Sequence, residues 1–183
     1  CGYYSYFSGV RQDDIELYVR DHHAFGGAPT NDGLHLVMVN WPARDFAAVR
    51  ADIEGHVWRA LDSAPGFAAR VREGRREDTW HGTAGVPGYF RKPYGKGWAL
   101  VSDASYNKDP ITAQGISDAF IEAEMLATAL TAEWSGAGMH EERWAALETA
   151  RNERVRPMYE FTSQLATLEP PSPEMRALFS ALR

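Results

Sequence analysis

Between Gly97 and Ile116 the chain passes through a short apolar run, Trp98-Ala99-Leu100-Val101, that ends at Ser102-Asp103-Ala104. A polar loop containing Asp109-Pro110 follows, and Ala113-Gln114-Gly115 then opens the longest helical pattern in the sequence. This order reads as a strand, a turn and a helix N-terminus. Such an arrangement turns backbone N–H groups and the positive end of the helix dipole toward whatever lies beyond the strand, which suits an electron-rich ligand. The small residues and the glycine at the helix start leave room for close approach. The plainer alternative is an ordinary turn between a buried strand and an amphipathic helix, with Asp103 as a turn or cap residue.

The rest of the chain supplies possible walls for that spot. Residues 2–10 are aromatic and β-branched and predict a strand with Tyr4 and Tyr6 on one face and Tyr3 and Phe7 on the other. Residues 15–20 alternate, Ile15, Leu17 and Val19 against Glu16, Tyr18 and Arg20. The segment 26–33 is dense in turn formers and 34–41 reads as a third strand, which together predict an antiparallel meander. From 42 to 76 the period becomes helical, with Phe46, Val49, Ile53, Val57 and Leu61 on one side and a shorter helix through Phe67 and Val71. Residues 77–83 predict a return to strand. Helices are expected over 115–134, with Ile116, Ala119, Phe120, Ala123, Met125, Leu126 and Leu130 as the apolar face and Asp118, Glu122 and Glu133 elsewhere. Further helices are expected over 140–168, bent near Pro157, and over 174–182. The fold class expected is α+β.

Composition excludes several function classes. Among 183 residues the net charge is −6, against a phosphate-backbone partner, since nucleic-acid binders concentrate positive charge. No run approaches the roughly 18 apolar residues of a membrane span, and the single cysteine, Cys1, fits a reducing, cytoplasmic setting. The six histidines show no helical metal-ligand spacing. A Gly-x-Ser-x-Gly elbow, a Gly-x-Gly-x-x-Gly fingerprint and a phosphate loop are all missing.

Residues 98–130 resemble the second flavin-binding motif of the FAD-dependent monooxygenase and oxidoreductase superfamily, which includes aromatic-ring hydroxylases, flavin halogenases and geranylgeranyl reductases. The matching residues are Val101-Ser102-Asp103-Ala104, Asp109-Pro110 and Ala113-Gln114-Gly115. Within the superfamily the stretch is most similar to bacterial oxidoreductases whose segment reads Gly-Asp-Ala-Gly-Tyr-His-Lys-Asp-Pro-Ile-Thr-Ala-Gln-Gly. The resemblance implies that Asp103 bonds the ribityl chain of FAD, and that Pro110 and the backbone around Gln114, Gly115 and Ile116 lie against the isoalloxazine. It implies a substrate-domain-like part, 1–96, and a flavin-contacting part with C-terminal helices, 97–183. Strand alternation nominates Tyr4, Tyr6, His35, Val37 and Trp41 as a substrate wall.

Ser102 stands where the family has glycine, and Ser105 and Asn107 stand where the subgroup has glycine and histidine. The Rossmann unit that holds the ADP half of FAD is not in this sequence. The resemblance therefore implies the C-terminal part of a monooxygenase-like, NAD(P)H-using oxidoreductase acting on a small organic substrate, with a flavin site incomplete on its own. A fragment, which the Cys1 start favours, a subunit completed by a separate Rossmann polypeptide, and a defunct flavoprotein are the three forms this can take. The alternative from another class is a non-catalytic small-molecule binding module, for which Ser102 speaks. The isolated chain is expected to bind FAD weakly or not at all.

Overall fold

A computed structural model describes residues 1–132, Trp134 and residues 141–170. They divide into two compact units: Cys1–Gly85 with the described residues from Thr167 on, and Val86–Ala166. The boundary falls at Gly85, ahead of the division expected at residue 96. The fold is α+β, an antiparallel sheet with helices.

In the first unit, β1 (Gly2–Ser8), β2 (Glu16–Arg20), β3 (His23–Pro29) and β4 (Leu34–Asn40) precede three short helices, α1 (Phe46–Ala51), α2 (Ile53–Leu61) and α3 (Pro65–Glu73). Two short strands, β5 (Arg75–Arg76) and β6 (His81–Thr83), complete a six-stranded sheet of order β2-β3-β4-β1-β5, with β6 also paired to β1. All pairings are antiparallel.

The expected three-strand meander is thus corrected. The glycine-rich segment read as a turn is the inner strand β3, and β1 pairs with β4 rather than with β2. Glycine here serves close packing, not chain reversal. A Cβ at Gly26 would lie 2.3 Å from the Glu16 carbonyl oxygen, and one at Gly27 would lie 3.0 Å from both Gln12 Oε1 and the Phe67 ring.

The alternation in β1 is as expected, with Tyr3, Ser5 and Phe7 buried and Tyr4 exposed. The inward face packs with Phe25, Val37 and Val39 against Val49, Val57, Leu61, Phe67 and Val71 of the three helices. The helical stripe expected over 42–76 is this packing surface. It is cut at Asp52, which leaves helical geometry and caps α2 by accepting the Gly55 N–H at 2.9 Å. On β2 the apolar set points outward: Ile15, Leu17 and Val19 are exposed, and Tyr18 stacks on Phe25 instead.

The second unit holds β7 (Tyr89–Phe90), β8 (Tyr94–Gly95), β9 (Trp98–Ala99), β10 (Tyr106–Asn107), α4 (Gly115–Ala132) and α5 (Glu141–Leu165). β7 pairs with β10 and β8 with β9. The buried strand expected at 98–101 is corrected to a two-residue hairpin arm whose Trp98 is half exposed. Tyr94, Ala129 and Trp144 form a small core with Leu126, Leu130 and Leu147. α5 runs through Pro157 as one element. Glu133, His140 and the helix expected at 174–182 lie outside the described residues.

The exposed face of α4 is also a correction. Asp118 and Glu122 are buried, whereas Ile116 and Phe120 are 76% and 74% exposed. No described helix is long and apolar enough to cross a membrane.

Candidate functional site

The turn between β9 and α4 is built by a series of local constraints. Ser102 adopts the left-handed region, φ 55°, which a residue with a side chain enters at a cost of about 1–2 kcal/mol. It is held there by Glu122, about two turns into α4, whose Oε2 accepts both the Ser102 backbone N–H and the Ser105 hydroxyl at 2.7 Å. Ser105 in turn accepts from Arg151 Nη1 of α5 at 2.8 Å, and Arg151 Nη2 donates to the Arg91 carbonyl at 3.0 Å. Burial pulls the Arg151 pKa down, and the nearby Glu122 and Glu148 only partly oppose this. The Asp103 carbonyl accepts from the Tyr89 hydroxyl at 2.5 Å, while Asp103 itself stays exposed.

Asp109 accepts the Ile111 N–H at 3.0 Å and so caps a short 3-10 turn that starts at Pro110, whose fixed φ suits the first position. Ala113 reverses the chain in the left-handed region, and α4 begins. Its first turn leaves N–H groups without intrahelical acceptors, aimed out of the helix.

A second buried group lies beneath this turn. Asp118 Oδ2 accepts from Lys108 Nζ at 2.5 Å and from the Tyr106 hydroxyl, and Oδ1 accepts from Arg154 at 3.1 Å. Lys108 also reaches Gln114 Oε1 at 3.1 Å. Burial pushes the Asp118 carboxyl upward, but its bonds to Lys108, Tyr106 and Arg154 outweigh this and hold it below its ordinary value. Tyr106 is driven well above the usual phenol range, first by burial and then by its bond to Asp118. One carboxylate and two cations leave this group with one excess positive charge.

These elements border an open cavity lined by the backbone turn at Ser102 and Asp103, by Tyr106 and Lys108, by Asp109, Pro110 and Ala113, and by Gly115 and Asp118. A Cβ at Gly115 would meet nothing within 4 Å, so the helix mouth is clear.

Of the residues expected to contact a ligand, Asp103, Pro110 and Gly115 line this cavity. Gln114 reaches it through Lys108, and Ile116 is exposed. Sequence reading missed Lys108, Tyr106, Asp118, Glu122 and Arg151. Carboxylates four residues apart at the start of a helix that follows a lysine were the available signal.

The expected substrate wall divides between two faces. Tyr4 and Tyr6 lie on the open side of the sheet. His35, Val37 and Trp41 are buried on the helix-covered side, because Val37 pairs with the inward Ser5 and His35 with the inward Phe7. They cannot line one wall with Tyr4, and that expectation is corrected. Among the described residues no group of three or more His, Cys, Asp or Glu is placed to hold a metal ion.

No protein-family model and no curated protein sequence matches the chain. Solved structures do. The myxobacterial chondrochloren halogenase CndH, described as an FAD-dependent halogenase variant, matches with a TM-score of 0.74 and 20% identity over 100% of this chain and 47% of its own. PqsL, a probable FAD-dependent monooxygenase from Pseudomonas aeruginosa, matches at 0.65 and 22% identity over 91% of this chain and 47% of its own. The flavin-dependent brominase Bmp2 matches at 0.64 and 17% identity over 83% and 39%. The chain thus has the fold of a part of FAD-dependent monooxygenases and halogenases, and spans about half the length of the structures it matches.

Proposed function

We propose that the chain is the C-terminal part of an FAD-dependent, monooxygenase-like oxidoreductase acting on a small organic substrate. The observation that carries the proposal is the cavity at the mouth of α4, lined by the same residues, 102–118, whose sequence resembles the second flavin motif. Its donor set fits the isoalloxazine end of FAD: first-turn N–H groups, the positive end of a helix dipole and the Lys108 ammonium suit a ring that gains electron density. Among the described residues nothing comparable is present for the ADP half, in keeping with a chain that spans about half the length of its structural matches.

When bound, the flavin would supply redox chemistry, with a nicotinamide as the reductant. The protein's own part is to hold and orient. Asp103, its backbone fixed by Tyr89, would present a carboxylate to the ribityl hydroxyls. Pro110 and the 113–115 backbone form a wall with few rotatable groups. Lys108, pinned by Asp118 and Gln114, places positive charge beside the cavity without loss of side-chain entropy on binding. Tyr106, with its raised pKa, stays protonated and keeps its hydrogen on Asp118.

Ile116 and Phe120 support a missing counterpart. Large apolar side chains one turn apart on a helix are ordinarily covered, and the remaining half of the matched fold, in the same or a separate polypeptide, is the occupant we assign. Titrating FAD into the isolated chain tests the reading. We expect binding no tighter than about 0.1–1 mM, the range left by a ring-sized contact with half its walls. A purified chain that is yellow with near-stoichiometric flavin would contradict the incompleteness. The second reading, a non-catalytic binding module, is favoured by Ser102 alone. Ser102→Gly that leaves flavin affinity unchanged would remove its basis.

A further inference from the structure

The sheet of the first unit ends differently on its two sides. Beyond β1 it closes with β5 and β6, which are two and three residues long, and β5 is Arg75-Arg76. Short, charged strands are one way a sheet edge resists pairing with another chain. The other side ends at β2, a five-residue strand that pairs only with β3 among the described residues. Here Leu17 and Val19 are 58% and 52% exposed on the face away from the helices, while Tyr18 turns inward to Phe25 and Phe67.

The backbone of this edge faces outward too. The Glu16 carbonyl oxygen is directed at β3, 2.3 Å from where a Gly26 Cβ would stand. Backbone groups alternate in direction along a strand, so Leu17 and Val19 send their N–H and C=O groups to the open side. Arg20 agrees with this parity, because its Nη1 donates to the Val19 carbonyl at 3.0 Å. Arg20 is exposed and has no carboxylate partner among the described residues. At the other end of the strand, the two oxygens of Glu16 accept from Arg70 Nη2 and from the Tyr18 hydroxyl at 2.5 Å. A carboxylate has about four acceptor sites, so Glu16 can take a further donor, and its side chain is 30% exposed.

The strand is self-complementary. Glu16-Leu17-Tyr18-Val19-Arg20 reads acidic, apolar, aromatic, apolar, basic. Laid antiparallel on a second copy, with the two-fold axis at Tyr18, Glu16 stands opposite Arg20 of the other copy and Leu17 opposite Val19, each pair occurring twice. Leu17 and Val19 are the residues with outward backbone groups, so each opposed pair can exchange two backbone bonds. A parallel, in-register pairing would instead set Glu16 beside Glu16 and Arg20 beside Arg20.

We propose that this edge is a homodimer interface, in which β2 of a second copy adds antiparallel to β2 and the two sheets become one. The Glu16–Arg20 pairs fix direction and register, and the backbone bonds with the Leu17–Val19 pairs supply the attraction. All the residues involved lie in the first unit, and none lines the cavity at 102–118.

Sedimentation equilibrium and amide hydrogen exchange test this, in a Phe120→Ser background so that the exposed ring on α4 contributes nothing. The chain is expected to dimerise with a Kd of about 10–100 μM, the weak end for a small interface. The Leu17 and Val19 amides become protected from exchange as the concentration rises through that range. Glu16→Lys and Arg20→Glu each bring like charges into both pairs and weaken the dimer about tenfold or more. Mixed in equal amounts, the two variants regain opposite charges in both pairs and associate about as tightly as the parent chain. Leu17→Lys weakens the dimer as well, and it and Arg20→Glu alter exposed positions without touching the Arg70 bond. A chain that stays monomeric up to about 1 mM, charge variants that self-associate like the parent, or a mixture no tighter than either variant alone would overturn the proposal. So would Leu17 and Val19 amides already protected in the monomer, since the edge would then be covered from within the chain.

Discussion

Glu122 and Asp118 are where single side chains decide the local structure. Ser102 occupies a backbone region that costs about 1–2 kcal/mol for a residue with a Cβ, and the Glu122 carboxylate offsets that cost with a charge-assisted bond. Ser102→Gly is expected to stabilise the chain by about 1 kcal/mol in urea unfolding. Glu122→Leu should cost about 3 kcal/mol, since it leaves the Ser102 N–H without its acceptor and Arg151 buried beside an apolar side chain. Asp118 gives a pH signature. Its folded value is below the ordinary carboxylate value of about 3.9, so the unfolded chain binds the extra proton. Its contribution is complete above that ordinary value and is lost as pH falls through the depressed folded one. Thermal melts between pH 7 and pH 3 should therefore fall less steeply in Asp118→Asn than in wild type. Parallel curves would refute the assignment.

At the scale of elements, α4 separates packing from exposure. Phe67→Ala, in the core of the first unit, should cost about 3–5 kcal/mol, whereas Phe120→Ser should stay within about 0.5 kcal/mol in the isolated chain. Periodicity made β1, β4 and the helical stripe through Val49, Val57 and Leu61 legible, because each has one covered face. It failed at β3, where Gly26 and Gly27 serve close approach to Glu16 and Phe67, contacts invisible in a linear reading. It also inverted α4: the partners that make it favourable to bury Asp118 and Glu122 include Arg151 and Arg154, some thirty residues on. The motif itself was readable because its constraints are local, the Asp109 cap, Pro110 and the turn at Ala113. The wall residues His35 and Val37 were misplaced because alternation assigns two faces without saying which one the helices cover.

For the molecule as a whole, the central claim is that residues 102–118 form the ring-binding half of a flavin site. Lumiflavin, which is the isoalloxazine without ribityl or ADP, isolates that half. Titrated into the isotope-labelled chain, it should shift the backbone amide signals of Ser102, Asp103, Ala113 and Gly115 with a dissociation constant of about 0.1–1 mM. FAD should bind no more than a few-fold tighter, since the chain offers the ADP half no fingerprint. Amides of 102–118 that remain unmoved at saturating lumiflavin, or shifts confined to other segments, would contradict the account.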